Sequence, residues 1–172
     1  IEQALRLYNG KPIVNSVNGE DGSMNAILPL VKKYGAAVVA LTLDDKGIPL
    51  LAEERFAIAE RIVAHAEQYG IPREDIYVDC LTLTASVQQK EVVETLKAMR
   101  MVKEQLGCRT LLGVSNISFG LPNREAVTRT FLTMALENGM DIKTLSAMIG
   151  HVSAETTLNI YSHITDTMQQ QG

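Results

Sequence analysis

The sequence predicts an α/β fold with a parallel sheet, and three observations carry that prediction. Short β-branched runs alternate with stretches of helical periodicity four times between Pro12 and Gly139. The connections between them are short and rich in Gly, Asn and Asp. One run, Ala36 to Leu43, is continuously apolar, as expected of a strand covered on both faces. Strands that alternate with helices are joined by crossovers and therefore pair in parallel.

Taken in order, Ile1 to Leu5 reads as the end of a helix, and the chain opens on Ile rather than Met, so a fragment of a longer reading frame is expected. Pro12 to Val17 is the first strand, followed by turn chemistry in Asn18-Gly19-Glu20-Asp21-Gly22. Met24 to Tyr34 is a helix stopped at Gly35, and Ala36 to Leu43 is the second strand. Asp44-Asp45-Lys46-Gly47 reads as a solvated turn rather than a metal site. Glu53 to Tyr69 is a helix whose Phe56, Ala59, Ile62, Val63 and Ala66 share one face. His65 on that helix is expected to be exposed. Ile76 to Asp79 is the third strand, Gln88 to Leu106 the third of these helices, Thr110 to Ser115 the fourth strand, and Arg124 to Glu137 the last helix. Asn123 is placed as its N-cap, and Arg124 as a partner for a carboxylate.

A length of 172 residues suits one domain with a sizeable core. With 46% hydrophobic and 21% charged residues the composition is that of an ordinary globular protein. A formal charge of −4 lacks the basic footprint of a general nucleic-acid binder, so DNA is not an expected partner. The apolar run is too short to span a membrane, and no signal peptide is recognised. Cys80 and Cys108 have no metal-ligand spacing and fit a reducing compartment; a cytoplasmic location follows. Cys80 is expected to pack as a small apolar residue.

Periodicity leaves two architectures open, a doubly wound sheet and part of a (β/α)8 barrel. No Gly-x-Gly-x-x-Gly and no P-loop follows a strand, which weakens the first. A whole barrel takes about 250 residues, so four units would be half of one. In either architecture a ligand gathers at the carboxyl ends of the strands. Those ends carry Asn15-Ser16, Asp79 and Ser115-Asn116: two amides and a carboxylate, without histidine, paired cysteines or clustered arginine. Such a set suits a polar heterocycle such as a pterin better than a phosphate or a metal. A carboxylate accepts from ring N–H and amino donors, and an Asn amide both donates and accepts. The plainer reading stands beside it: Asp79 as a cap and the two Asn as turn residues.

Three motifs carry a family resemblance: Lys11-Pro-Ile-Val-Asn-Ser-Val-Asn-Gly-Glu20, Ile76-Tyr-Val-Asp79 and, most specific, Gly113-Val-Ser-Asn-Ile-Ser-Phe-Gly-Leu-Pro-Asn-Arg124. Residues 1–138 resemble the pterin-binding, methyltetrahydrofolate-using domain of the corrinoid-dependent methyltransferases, among them cobalamin-dependent methionine synthase. The resemblance implies a partial (β/α)8 TIM-type barrel of four β-α units. It implies that Asn15 and Asp79 hydrogen-bond the pterin ring and that Asn116 approaches N5, which carries the methyl group. Ser118 is a further candidate for the pocket, although a loop hydroxyl is more often solvated. The methyl group would pass to a corrinoid (cobalamin) carried by a corrinoid protein or a cobalamin-binding domain, and homocysteine would be the final acceptor only in a methionine synthase. The family's first pterin-binding acid lies on an earlier strand than any here, and three earlier strands and a final strand and helix are expected to be missing. Dihydropteroate synthases share the barrel and remain an alternative, though their signature is not seen.

The segment 139–172 is expected to be a short helical tail of different origin. Leu145-Ser-Ala-Met-Ile-Gly-His-Val-Ser-Ala-Glu-Thr-Thr-Leu-Asn-Ile-Tyr-Ser-His163 resembles the C-terminal end of tyrosine recombinases. That resemblance implies His151 as the active-site histidine and Tyr161 as the nucleophile toward a DNA phosphodiester. Lys143 is the tail's one basic side chain other than histidine, too little for the charge such chemistry develops, so an inactive remnant is expected. Three readings therefore stand: a methyltransferase module impaired by truncation, a DNA integration enzyme on the tail alone, and an inactive fusion. An open half-barrel exposes two sheet edges, and self-association is expected.

Overall fold

The computed structural model describes residues 1–140. Residues 141–172 lie outside the described residues, and with them His151, Tyr161 and the expected helical tail. The order is α1 (Glu2–Leu7), β1 (Ile13–Asn18), α2 (Asp21–Tyr34), β2 (Ala37–Leu41), α3 (Ala52–Gln68), β3 (Ile76–Asp79), α4 (Gln89–Met101), β4 (Arg109–Leu111) and α5 (Arg124–Glu137). The four strands form one parallel sheet in the order β1-β2-β3-β4. Strands adjacent in sequence are adjacent in space throughout, as in a (β/α)8 barrel; a doubly wound sheet reverses its strand order. The chain is a partial barrel of four β-α units.

Alternation along each strand sorts the side chains. Val14, Val17, Val38, Ala40, Ile76 and Val78 are buried in the same core as Leu28, Val31, Ala59, Ile62, Val63 and Met99 of the helices. Each Val, Leu, Ile or Met among them contributes about 1.5–3 kcal/mol by leaving water. The opposite face carries two cross-strand rows, Asn15–Val39–Tyr77–Arg109 and Asn18–Leu41–Asp79–Leu111. The β1–β2 register shifts between Asn15 and Val17, so Ser16 is an extra residue and both Asn15 and Asn18 fall on this second face.

Several boundaries differ from expectation for local reasons. The turn before α2 is shorter than the Gly- and Asp-rich composition suggests: Asn18 Oδ1 accepts from the Glu20 N–H at 3.0 Å, and the helix starts at Asp21. The helix expected over 88–106 runs regularly to Met101 and then widens into a π turn over Val102–Leu106, ending at Gly107 with φ 65°. The fourth strand, expected to reach Ser115, stops at Leu111. Val114–Ser118 winds instead into a 3-10 turn in which the Asn116 N–H bonds to the Gly113 carbonyl. Asp44 and Gly47 bridge each other in the expected tight turn. His65 is only half-exposed and bonds Asn25 Oδ1 at 3.3 Å. Among the described residues no helix is long and apolar enough to cross a membrane.

Gly19 is where the β1-α2 turn touches the rest of the molecule. Its N–H donates to the Leu43 carbonyl at 2.8 Å. A Cβ there would stand 2.8 Å from Ile58 Cγ2 and 3.0 Å from that same carbonyl oxygen. Gly19→Ala should therefore lower stability by about 1–3 kcal/mol through overpacking. A thermal melt shows it as a depressed Tm, and an unchanged Tm would mean that this loop yields at no cost.

Candidate functional site

Asp79 is the last residue of β3 and sits on the face away from the helices, between Leu41 and Leu111. Its backbone carbonyl accepts from the Thr42 N–H and hydroxyl at 3.1 and 3.2 Å, which ties the ends of β2 and β3 together. One carboxylate oxygen, Oδ1, accepts from the Leu81 N–H at 2.9 Å. The other has no hydrogen-bond partner among the described residues. Burial pushes the carboxyl pKa up to about 6, against the opposing pull of the Leu81 N–H. A desolvated carboxylate with one free oxygen is a strong acceptor for a ligand's N–H groups.

Asn15 and Asn116 flank it. Asn15 is exposed on the same sheet face, one row below Asp79 and two strands away, and its side chain makes no hydrogen bond among the described residues. Asn116 stands exposed on the 3-10 turn beyond β4, its amide likewise uncommitted. The turn is close under it: a Cβ on Gly113 would lie 3.3 Å from Asn116 Nδ2. Asp79 and Asn15 thus share one sheet face, Asn116 stands on the turn beyond the neighbouring strand β4, and each has unused hydrogen-bonding capacity among the described residues.

Ser118 differs. It is fully buried, donates to the Ser115 carbonyl at 3.2 Å, and accepts from Arg124 Nε at 3.2 Å and the Thr128 hydroxyl at 2.8 Å. The candidate pocket hydroxyl is therefore buried rather than solvated, and all of its bonding capacity is spent holding the turn that carries Asn116, which leaves none for a ligand. Among the described residues Arg124 pairs with no carboxylate: its guanidinium reaches Ser118, the Ser115 carbonyl at 3.3 Å and the face of Phe119, 5.9 Å from the ring centre. Asn123 occupies the N-cap position of α5 in a left-handed conformation, but its side chain makes no capping bond.

The loops after β3 and β4 are fastened together at the rim. The Phe119 carbonyl accepts from Thr84 Oγ1 at 2.9 Å and Ser86 Oγ at 3.1 Å, and the Ala85 N–H bonds the Ile117 carbonyl at 3.0 Å. The exposed Phe119 ring is a flat apolar surface beside the polar set. Cys80 is wholly buried behind the strand end and its thiol pKa is driven up by burial, so it packs as an inert apolar group. No group of three or more His, Cys, Asp or Glu among the described residues has the arrangement of a metal site.

Sequence reasoning missed Arg55. It is wholly buried in α3, and donates to the carbonyls of Pro49 (2.7 Å), Cys80 (2.9 Å) and Leu81 (3.2 Å) and to Thr95 Oγ1 (2.6 Å). The signal was its phase: Arg55 lies four and seven residues before Ala59 and Ile62, on the stripe that faces the core.

Comparison with known proteins gives the site a context. The family described as pterin binding enzyme matches residues 1–145. Methionine synthase of Mycobacterium leprae is 36% identical over 154 residues, which cover 82% of this chain and 13% of that protein. Methionine synthase of Mycobacterium tuberculosis shows the same identity and coverage. Methylcorrinoid:tetrahydrofolate methyltransferase of Eubacterium limosum is 30% identical over 132 residues, covering 75% of this chain and 49% of that protein. The chain therefore spans less than half the length of each of these relatives. The motifs on the strand ends, the sheet order and the extent of these matches agree, and the chain belongs to the family of pterin-binding enzymes.

Proposed function

We propose that this chain binds methyltetrahydrofolate by its pterin ring and presents the N5-methyl group to a corrinoid carried by a partner protein or a neighbouring cobalamin-binding domain. The observation that supports this best is the desolvated Asp79 carboxylate, with one free oxygen, between two uncommitted amides. A pterin offers adjacent amino and ring N–H donors to a carboxylate, and ring nitrogen and carbonyl acceptors to an amide. Asp79 binds the donors in its ionised form, so affinity rises as pH rises through about 6. The names of the relatives, with methyl transfer between a corrinoid and tetrahydrofolate in one of them, support the reaction class.

The corrinoid supplies the attacking nucleophile. What this chain supplies is orientation and support at N5, a tertiary amine that leaves poorly unless its developing lone pair gains a hydrogen bond or a proton. The exposed, uncommitted amide of Asn116 is our candidate donor there, and a donor that tightens as the N–CH3 bond breaks lowers the barrier. The test is anaerobic: reduced cobalamin and methyltetrahydrofolate are mixed with the chain, and loss of the reduced-cobalamin absorbance is followed. A rate above background that saturates with methyltetrahydrofolate supports the reading. A background rate at full occupancy of the folate site contradicts it.

The isolated sheet has two outer edges, on β1 and β4, that no strand covers among the described residues. Uncovered edges pair with other chains, and the 172-residue chain is expected to self-associate. Size-exclusion chromatography with light scattering should give a mass above the 18.8 kDa of one chain; a compact monomer would contradict this.

A further inference from the structure

We infer that Arg55 is the positioning residue of the Asp79 carboxylate, acting through the Cys80–Leu81 backbone. This rests on the reading of Asp79 as the pterin-binding acid. The chain of contacts is short. Leu81 is held at φ 60°, a left-handed conformation that non-glycine residues rarely adopt. The Leu81 N–H lies in the same peptide plane as the Cys80 carbonyl and points the opposite way, so whatever fixes that carbonyl fixes the N–H on Asp79 Oδ1. From behind the strand, Arg55 Nη1 grips the carbonyls of both Cys80 and Leu81. Nη1 is also bonded to Thr95 Oγ1, and the Thr95 hydroxyl lies 3.0 Å from the Glu91 carbonyl in α4. Nε reaches the Pro49 carbonyl, so the loops after β2 and β3 are held by one guanidinium.

The core alone does not account for an arginine here. A wholly buried guanidinium is expensive to desolvate, and its Nη2 has no partner among the described residues. An apolar side chain would fill the space more cheaply. The one thing an apolar residue would not do is bind three carbonyls from two loops. Without that grip the Cys80–Leu81 peptide plane is free to turn, and the Leu81 N–H leaves Asp79.

The charged and titratable surroundings of Asp79 are few. Tyr77 and Arg109 lie one row below on the same face, Cys80 follows it in the strand end, and Arg55 stands behind with Glu91 and Glu94 beyond it. β2 and β4 place only Leu41 and Leu111 beside it in its own row.

The test is the titration of the Asp79 side-chain carboxyl, followed by carbon NMR in the whole chain without ligand, for the wild type, Arg55→Met and Arg55→Lys. Positioning predicts that both variants move the midpoint upward by roughly half to one pH unit, the worth of one lost N–H bond to the ionised form. It also predicts weaker methyltetrahydrofolate binding at pH 7, by up to about twofold as the ionised fraction falls, with recovery at higher pH. A shift in Arg55→Met but none in Arg55→Lys would make Arg55 a distant charge and overturn the inference. So would an unmoved midpoint in either folded variant. Should Arg55→Met not fold, Arg55→Lys, which keeps the charge but not the fork, still decides the question. Because the titration needs no ligand, a shifted midpoint in a protein that never binds methyltetrahydrofolate would sink the functional reading and leave the positioning role standing.

Discussion

Asp79→Asn is expected to stabilise the protein at pH 8 while destroying its ligand binding. The carboxyl is shifted upward on folding, from an ordinary 3.8 to about 6, chiefly because burial disfavours the charge. The native state therefore holds its proton more tightly than the unfolded chain. Stability is fullest below the unfolded pKa and falls as pH rises through the folded value. Above pH 6 wild type carries a penalty of up to about 3 kcal/mol that a neutral amide escapes. The Asn variant keeps an acceptor for the Leu81 N–H. Urea melts should thus separate the two proteins at pH 8 and bring them together near pH 3. The same change turns an acceptor-only group into one presenting N–H toward the ligand's donors, so affinity for methyltetrahydrofolate should fall and lose its dependence on pH. A variant no more stable than wild type at pH 8 would mean that the carboxylate is better solvated than its setting indicates. A residue whose removal stabilises the fold but costs function is typical of a binding site.

Asn116→Ala carries the largest expected effect on rate. Its side chain has no hydrogen bond to lose among the described residues, and the turn beneath it is held independently by Ser118, Arg124 and Thr128. Folding should be nearly unchanged. If its amide supports N5 as the methyl group departs, methyl transfer to reduced cobalamin should fall about 10²–10³-fold. Affinity for methyltetrahydrofolate should change far less, because the contact strengthens in the transition state. A fall in affinity with an unchanged rate at saturation would make Asn116 a binding residue and place the N5 support elsewhere.

What the sequence disclosed follows from how strongly each segment's pattern speaks. Ile76–Asp79 and Arg124–Glu137 stand where alternation and periodicity put them. Asp79 falls on the expected face because a strand's period of two leaves no freedom once Val78 is buried. The end of the fourth strand was not legible. Val114 extends a β-branched run, yet Gly113 turns the chain, and the Ser-Asn-Ile-Ser that follows satisfies its backbone locally. The bulge at Ser16 was equally hidden, since an extra residue in one strand is visible only against its partner. Ser118 and Arg55 were misjudged or passed over because polar side chains are read as exposed by default. Their burial is decided by carbonyls supplied from distant loops, and no local pattern records those. The tail's two residues of interest, His151 and Tyr161, lie outside the described residues.

Asn15 on β1, Asp79 at the end of β3 and Asn116 beyond β4 are proposed to form a pterin site in this chain. The direct measurement is a calorimetric titration of the purified 172-residue protein with methyltetrahydrofolate at pH 7.5, with Asp79→Ala as the control. Saturable binding that disappears in the variant is the predicted result. No heat of binding from a protein that is folded by its amide spectrum, or binding that Asp79→Ala leaves intact, would contradict it.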